Sequence, residues 1–151
     1  MRKNSFVHYL TKVLVDIMFY GGILCCIAAP FVMPYVLTSL GYLRTTHSAY
    51  SIIILLSGVC ALCILWQLKL MLKTLLGGNP FVAQNVTCLR ICAVSSFLIA
   101  IIFVIKLLLL LPTPSSFLIV IIFSLLGLFC LTLKDVFKQA IAYKEENDWT
   151  V

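Results

Sequence analysis

Four long apolar runs, broken by three short polar stretches, make up most of the chain. The runs cover residues 13–35, 50–72, 91–111 and 117–133; as a helix the second can cross a hydrocarbon core of about 30 Å, and all four have the length of membrane spans. Pro30 and Pro34 fall near the far end of the first run, where a kink or a helix end is easiest to accommodate. The first break, residues 37–49, holds Gly41, Arg44, Thr45, Thr46 and His47, and the third, residues 112–116, reads Pro-Thr-Pro-Ser-Ser. Both have the composition of turns.

The central break, residues 75–90, organises the rest. Gly77 and Gly78 can end one helix in a left-handed cap, and Asn79 followed by Pro80 reads as the N-cap and first residue of the next. The pattern predicts a helix-turn-helix joint at a membrane surface. Beyond the fourth run, residues 134–144 keep apolar side chains at 136, 137, 140 and 141 with charges on the other side. That is helical spacing, so the fourth helix is expected to continue into the tail, residues 134–151.

Composition narrows the class. With 63% hydrophobic residues, 11% charged residues and a mean hydropathy of +1.16, the chain is too apolar for an ordinary soluble domain. Its 151 residues read as a single integral membrane domain. Arg2, Lys3 and Lys12 ahead of an apolar run resemble the start of a signal peptide, but the run is too long and reads as an uncleaved first membrane helix. The net charge of +6 does not point to nucleic acid, because the basic residues sit at the ends of apolar runs and not along a soluble face. The lipid bilayer is the partner they fit, and no direct nucleic-acid binding is expected.

Arg2, Lys3, Lys12, Lys69, Lys73, Arg90, Lys134, Lys138 and Lys144 fall on one side of a four-span layout, against only Arg44 and Lys106 on or near the other. By the positive-inside rule both termini and the joint face the cytoplasm, and the protein sits in the cell membrane. The predicted fold is therefore all-α. It is a four-transmembrane-helix bundle with both termini cytoplasmic and a short cytoplasmic C-terminal helical extension.

Small residues recur four apart in the first helix (Gly21, Cys25, Ala29; Gly22, Cys26), the second (Ser57, Ala61) and the third (Ser96, Ala100). Such stripes let helix backbones approach in lipid and are expected to face other helices, with a homo-oligomer left open. The seven cysteines lie in or beside apolar runs, where thiols serve as small packing residues and not as a disulfide framework.

Asp16 is the polar residue that asks most of its surroundings. One turn inside the first span, an unpaired carboxylate costs on the order of 2.5–3.5 kcal/mol, so a partner is expected. Lys69 lies at matching depth, with Gln67 as the fallback should Lys69 reach away to the interface. A coupling carboxylate in a transporter must be deep and open to both sides, and Asp16 is shallow. Lys106, near the outer end of the third span, can face a cavity, although such a lysine more often snorkels. Cys60-x-x-Cys63 and Cys88-x-x-x-Cys92 invite a metal reading, but they lie at different depths and cannot share one ion. No nucleophile and base, no paired acids and no phosphate loop can be assembled. The expectation is no metal, no cofactor and no enzyme.

Gly78-Asn79-Pro80-Phe81, Asn85 and Leu89-Arg90 at the joint, with Val136-Phe137 and the closing Glu146-Asn147-Asp148-Trp149-Thr150-Val151, resemble domain-of-unknown-function family 2975, small bacterial multipass membrane proteins. The chain departs from that pattern at Val82-Ala83-Gln84, where members carry polar or acidic residues, and at Trp149, where they carry leucine. The resemblance implies the four-span layout and no established enzymatic activity. Members are often encoded beside a small helix-turn-helix DNA-binding regulator, which implies a membrane protein that holds such a regulator at its cytoplasmic face.

The leading expectation is a non-enzymatic membrane adaptor or regulator; the second is a small ion- or solute-transporting or immunity-type protein acting through the bundle interior. The candidate structural or partner-binding residues are Asp16, Gln67, Lys69, Asn79, Pro80, Phe81, Asn85, Arg90 and Trp149. A polar cavity joining Asp16, Gln67 and Lys106 would favour transport. An interior packed by the small-residue stripes would favour the adaptor.

Overall fold

A computed structural model of the chain describes residues 3–41, 47–78, 80–110 and 112–148. They form four helices: α1 (Lys3–Ser39), α2 (His47–Leu76), α3 (Ala83–Leu109) and α4 (Pro114–Asp148). All four are long and apolar enough to cross a membrane. No strand occurs among the described residues.

The helix ends show where local chemistry prevails over composition. Neither Pro30 nor Pro34 stops α1, which runs on to Ser39. Each proline forfeits only its own N–H bond to the carbonyl four residues back, a loss that membrane helices tolerate. Gly41 marks the stop, at φ +78° with its N–H on the Thr38 carbonyl at 3.1 Å. α2 ends as its glycines predict. Gly77 N–H reaches the Lys73 carbonyl at 3.1 Å, Gly78 N–H reaches that of Leu75 at 3.2 Å, and Gly78 takes the left-handed φ of +78°.

The start of α3 differs from expectation. The helix begins at Ala83, not at Pro80, and its N-cap residue is Val82, extended at φ −126° and ψ 146° with no side-chain cap bond. Asn79 lies outside the described residues. The connection is also shorter than residues 75–90, because residues 83–90 already belong to α3 and bury Asn85, Cys88 and Leu89. Beyond the fourth apolar run α4 continues unbroken through Asp148, in line with the helical spacing of residues 134–144.

The helices pack in chain order, α1 on α2, α2 on α3 and α3 on α4, with the last pair the most extensive and no other pair in comparable contact. The core runs along α3. Asn85, Cys88, Leu89, Cys92, Ala93, Ser96, Ile99 and Ala100 are buried at alternating spacings of about three and four, one stripe of a helix. Most are small, so neighbouring helices come close on both sides. Cys92, Ala93 and Cys130 form the centre, packed by Ile64, Leu126 and Leu131, and all seven cysteines are free thiols. Large apolar side chains such as Phe31, Leu108 and Phe129 point outward, the surface that lipid covers.

Between α1 and α2 both small-residue stripes of α1 contribute to the seam. Gly22 and Cys26 of one stripe and Cys25 and Ala29 of the other line it against Ile54, Gly58, Ala61 and Leu62, and Gly21 alone stays clear, since a Cβ there would meet nothing within 4 Å. On α2 the residue at the contact is Gly58, not Ser57, whose hydroxyl turns back to the Ile54 carbonyl at 3.0 Å. A Cβ at Gly58 would lie 2.7 Å from Cys26 Sγ. Gly58→Val is therefore expected to destabilise the α1–α2 pair by about 1–3 kcal/mol. Gly21→Val, one stripe over, should be near neutral. Unfolding both variants by SDS titration in mixed micelles measures the difference, and equal stability would show that this seam is not tight.

Candidate functional site

Among the described residues three polar clusters interrupt the apolar interior, and each is set by one turn or one helix pair. The first is the α2–α3 joint. Asn85, 2% exposed, donates its carboxamide N–H to the Pro80 carbonyl at 2.6 Å and accepts at Oδ1 from the Thr74 hydroxyl at 2.9 Å. One side chain thus ties the extended segment to the last turn of α2 and the first turn of α3. Thr74 Oγ1 also lies 2.8 Å from the Met71 carbonyl, so its single proton is shared between two acceptors.

Phe81, next along, packs its ring 5.5 Å from that of Phe137 at 47°. The joint therefore rests on α4 just past its fourth apolar run. The contact leaves Phe81 43% exposed, beside a shallow apolar groove of about 210 Å³ lined by Leu72, Leu75, Pro80 and Phe137 among others. Arg90 is exposed farther along α3. Trp149, like Asn79, lies outside the described residues.

The second cluster joins α1 to α2. Lys69 Nζ meets Asp16 Oδ1 at 2.8 Å, with both side chains about one-third exposed. The ammonium also lies 5.5 Å from the Phe19 ring centre and 5.2 Å from that of Tyr20. Phe19 in turn packs against Trp66 at 5.6 Å. The carboxylate takes the lysine as expected, and half-buried Gln67 is not recruited.

The third cluster lies at the other end. Lys106 is 6% exposed and does not snorkel to the surface. Its ammonium donates to Thr113 Oγ1 at 2.8 Å and to Ser116 Oγ, and sits 5.6 Å from the Tyr50 ring centre. Thr113 and Ser116 are themselves 2.7 Å apart. Ser116 is 1% exposed, so hydroxyls and an aromatic face surround the charge where water is excluded. The sequence carries only part of the signal for this. Thr113 and Ser116 follow Lys106 across a tight turn, which supplies the hydroxyls but does not by itself choose a folded-back lysine over a snorkelling one.

Lys106 and Asp16 do not share a cavity. Tyr50, beneath the first, and Lys69, beside the second, are separated by roughly 28 Å of α2. Between them the interior is the apolar, small-residue core of α3. No three histidine, cysteine, aspartate or glutamate side chains converge among the described residues.

Against known proteins, one family matches, described as a protein of unknown function (DUF2975), over residues 11–151. No curated protein and no solved structure matches the chain.

Proposed function

The chain belongs to the DUF2975 family, and on that premise we propose that it is a non-enzymatic membrane adaptor whose joint and C-terminal extension together hold a small cytosolic helix-turn-helix regulator. In this reading both termini and the joint face the cytoplasm, because nine of the eleven lysines and arginines lie at that end of the spans.

The observation that carries the reading is the ring contact of Phe81 with Phe137. Two segments far apart in the chain become one surface. Its centre is aromatic and still partly open, and Val136 beside it is 53% exposed. Arg90, Lys134 and Lys138 give cationic groups on the same two helices, α3 and α4. An aromatic centre with a polar rim is how a protein partner is anchored. The transport reading asks instead for one polar cavity, whereas Asp16 and Lys106 lie at opposite ends of α2.

Affinity capture of the detergent-solubilised protein from its native cells tests the adaptor. The intact chain is expected to recover a small DNA-binding protein. Phe81→Ala combined with deletion of residues 144–151 should reduce the recovery by about tenfold or more. Equal recovery with both forms would exclude this surface as the docking site.

A further inference from the structure

The α1–α2 pair carries a groove that the joint and tail do not use. It has a volume of about 550 Å³ and opens between the first turns of the α1 span and the last turns of α2. Val15, Trp66, Leu70 and Leu76 give it apolar walls, and Lys12, Lys69 and Lys73 bring three ammonium groups to it. Among the described residues, one carboxylate answers them. Asp16 is bound to Lys69, while Lys12 and Lys73 form no ion pair among the described residues, which leaves two positive charges uncompensated.

From this juxtaposition of apolar walls and uncompensated amines, we propose that the groove is a binding site for an anionic phospholipid. Its phosphodiester sits between Lys12 and Lys73, and an acyl chain lies along Trp66 and Leu70. The placement follows from the spacing of the residues. Lys69 and Lys73 are one turn apart on α2, as are Lys12 and Asp16 on α1, so the Asp16–Lys69 bridge holds the two outer lysines on opposite rims. Trp66, 48% exposed, stands at the inner edge, packed on Phe19. Tryptophan favours the headgroup boundary, which fixes the depth of the amines at that of a phosphate.

The occupant is a lipid and not a soluble anion because the walls belong to membrane spans. Wherever protein does not cover a span, an acyl chain does. Basic pockets between spans select anionic headgroups on that basis.

The test is native mass spectrometry of the full chain released from nanodiscs of equal parts phosphatidylglycerol and phosphatidylcholine. The wild-type chain should retain phosphatidylglycerol in preference. Lys12→Gln/Lys73→Gln should lower that preference by about 30-fold, the effect of two charges near the surface, and leave the Asp16–Lys69 bridge in place. Lys134→Gln/Lys138→Gln, with the same loss of charge on α4, should keep it. Millimolar inorganic phosphate should not displace the lipid, and neither should a peptide of residues 144–151. An unchanged preference in Lys12→Gln/Lys73→Gln would overturn the proposal. So would equal loss in the α4 control, since attraction would then be general, and displacement by either soluble anion would assign the groove to another occupant.

Discussion

Thr113→Val/Ser116→Ala is expected to destabilise the protein by about 3–5 kcal/mol, the range for a buried charge deprived of its partners. Lys106 is buried in the α3–α4 interface and, among the described residues, its ammonium hydrogen-bonds these two hydroxyls, with the Tyr50 ring as its third neighbour. Bonds to a charged group contribute roughly 1.5–3 kcal/mol each, more than neutral ones, because low-polarity surroundings cannot replace them. Removing the charge itself should behave differently. Lys106→Met fills a similar volume, and Thr113 and Ser116 remain bonded to each other at 2.7 Å. Replacing a buried charge by an apolar side chain of like size is often neutral or better, so Lys106→Met should lie within about 1 kcal/mol of wild type. Lys106→Met added to the double variant should recover most of the loss. SDS-titrated unfolding in mixed micelles reads all three, and a double variant as stable as wild type would mean that Lys106 does not depend on these hydroxyls.

That cluster also marks where the sequence stopped being legible. The four helices follow from hydropathy, since lipid demands that each span satisfy its own backbone hydrogen bonds, and an apolar run has few other options. The Asp16–Lys69 pair was legible for a related reason. A carboxylate at that depth needs a partner, and Lys69 was the cation at matching depth. Lys106 was different. A lysine near a span end can snorkel to water or fold back into the protein, and hydropathy is the same for both. Only the three-dimensional return of the Thr113–Ser116 turn decides between them. The α1 seam was ambiguous in a similar way: Gly21 and Gly22 lie about 100° apart on the helix, and the close approach of Leu62 picks Gly22, while Cys25 and Ala29 of the other stripe still line the seam.

The joint was half legible. Glycine at 77 and 78 predicts the end of α2 because only the left-handed cap of Gly78 needs that freedom. Asn79-Pro80 looks like a helix start by local chemistry alone. The segment after it is extended instead, with Phe81 seated on Phe137, a contact with a residue far along the chain that no local signal contains. Asn85, inside the first turn of α3, leaves the helix's free N–H groups uncapped and instead fixes the segment before it, through the Pro80 carbonyl and the Thr74 hydroxyl.

This gives Asn85 an effect beyond its size. Asn85→Ala removes the donor to the Pro80 carbonyl and leaves that acceptor unpaired, at a cost of about 1–3 kcal/mol. Thr74 is spared, because its hydroxyl keeps the Met71 carbonyl at 2.8 Å. Asn85→Asp is the more severe change even though it is nearly isosteric. It replaces the N–H donor with an oxygen facing the Pro80 carbonyl, and it places a carboxylate at a position 2% exposed with the Thr74 hydroxyl as its one donor. Its expected cost is about 3 kcal/mol or more, above that of alanine. The order Asp below Ala below Asn in SDS-titrated unfolding is the signature of a donor requirement. If aspartate proved as stable as asparagine, the Pro80 contact would contribute nothing, and the joint would be held by Phe81 and Phe137 alone. Should the Asn85 variants also lose the captured regulator while Phe81 and Phe137 remain intact in sequence, the joint's shape, and not its aromatic content by itself, would be what the partner reads.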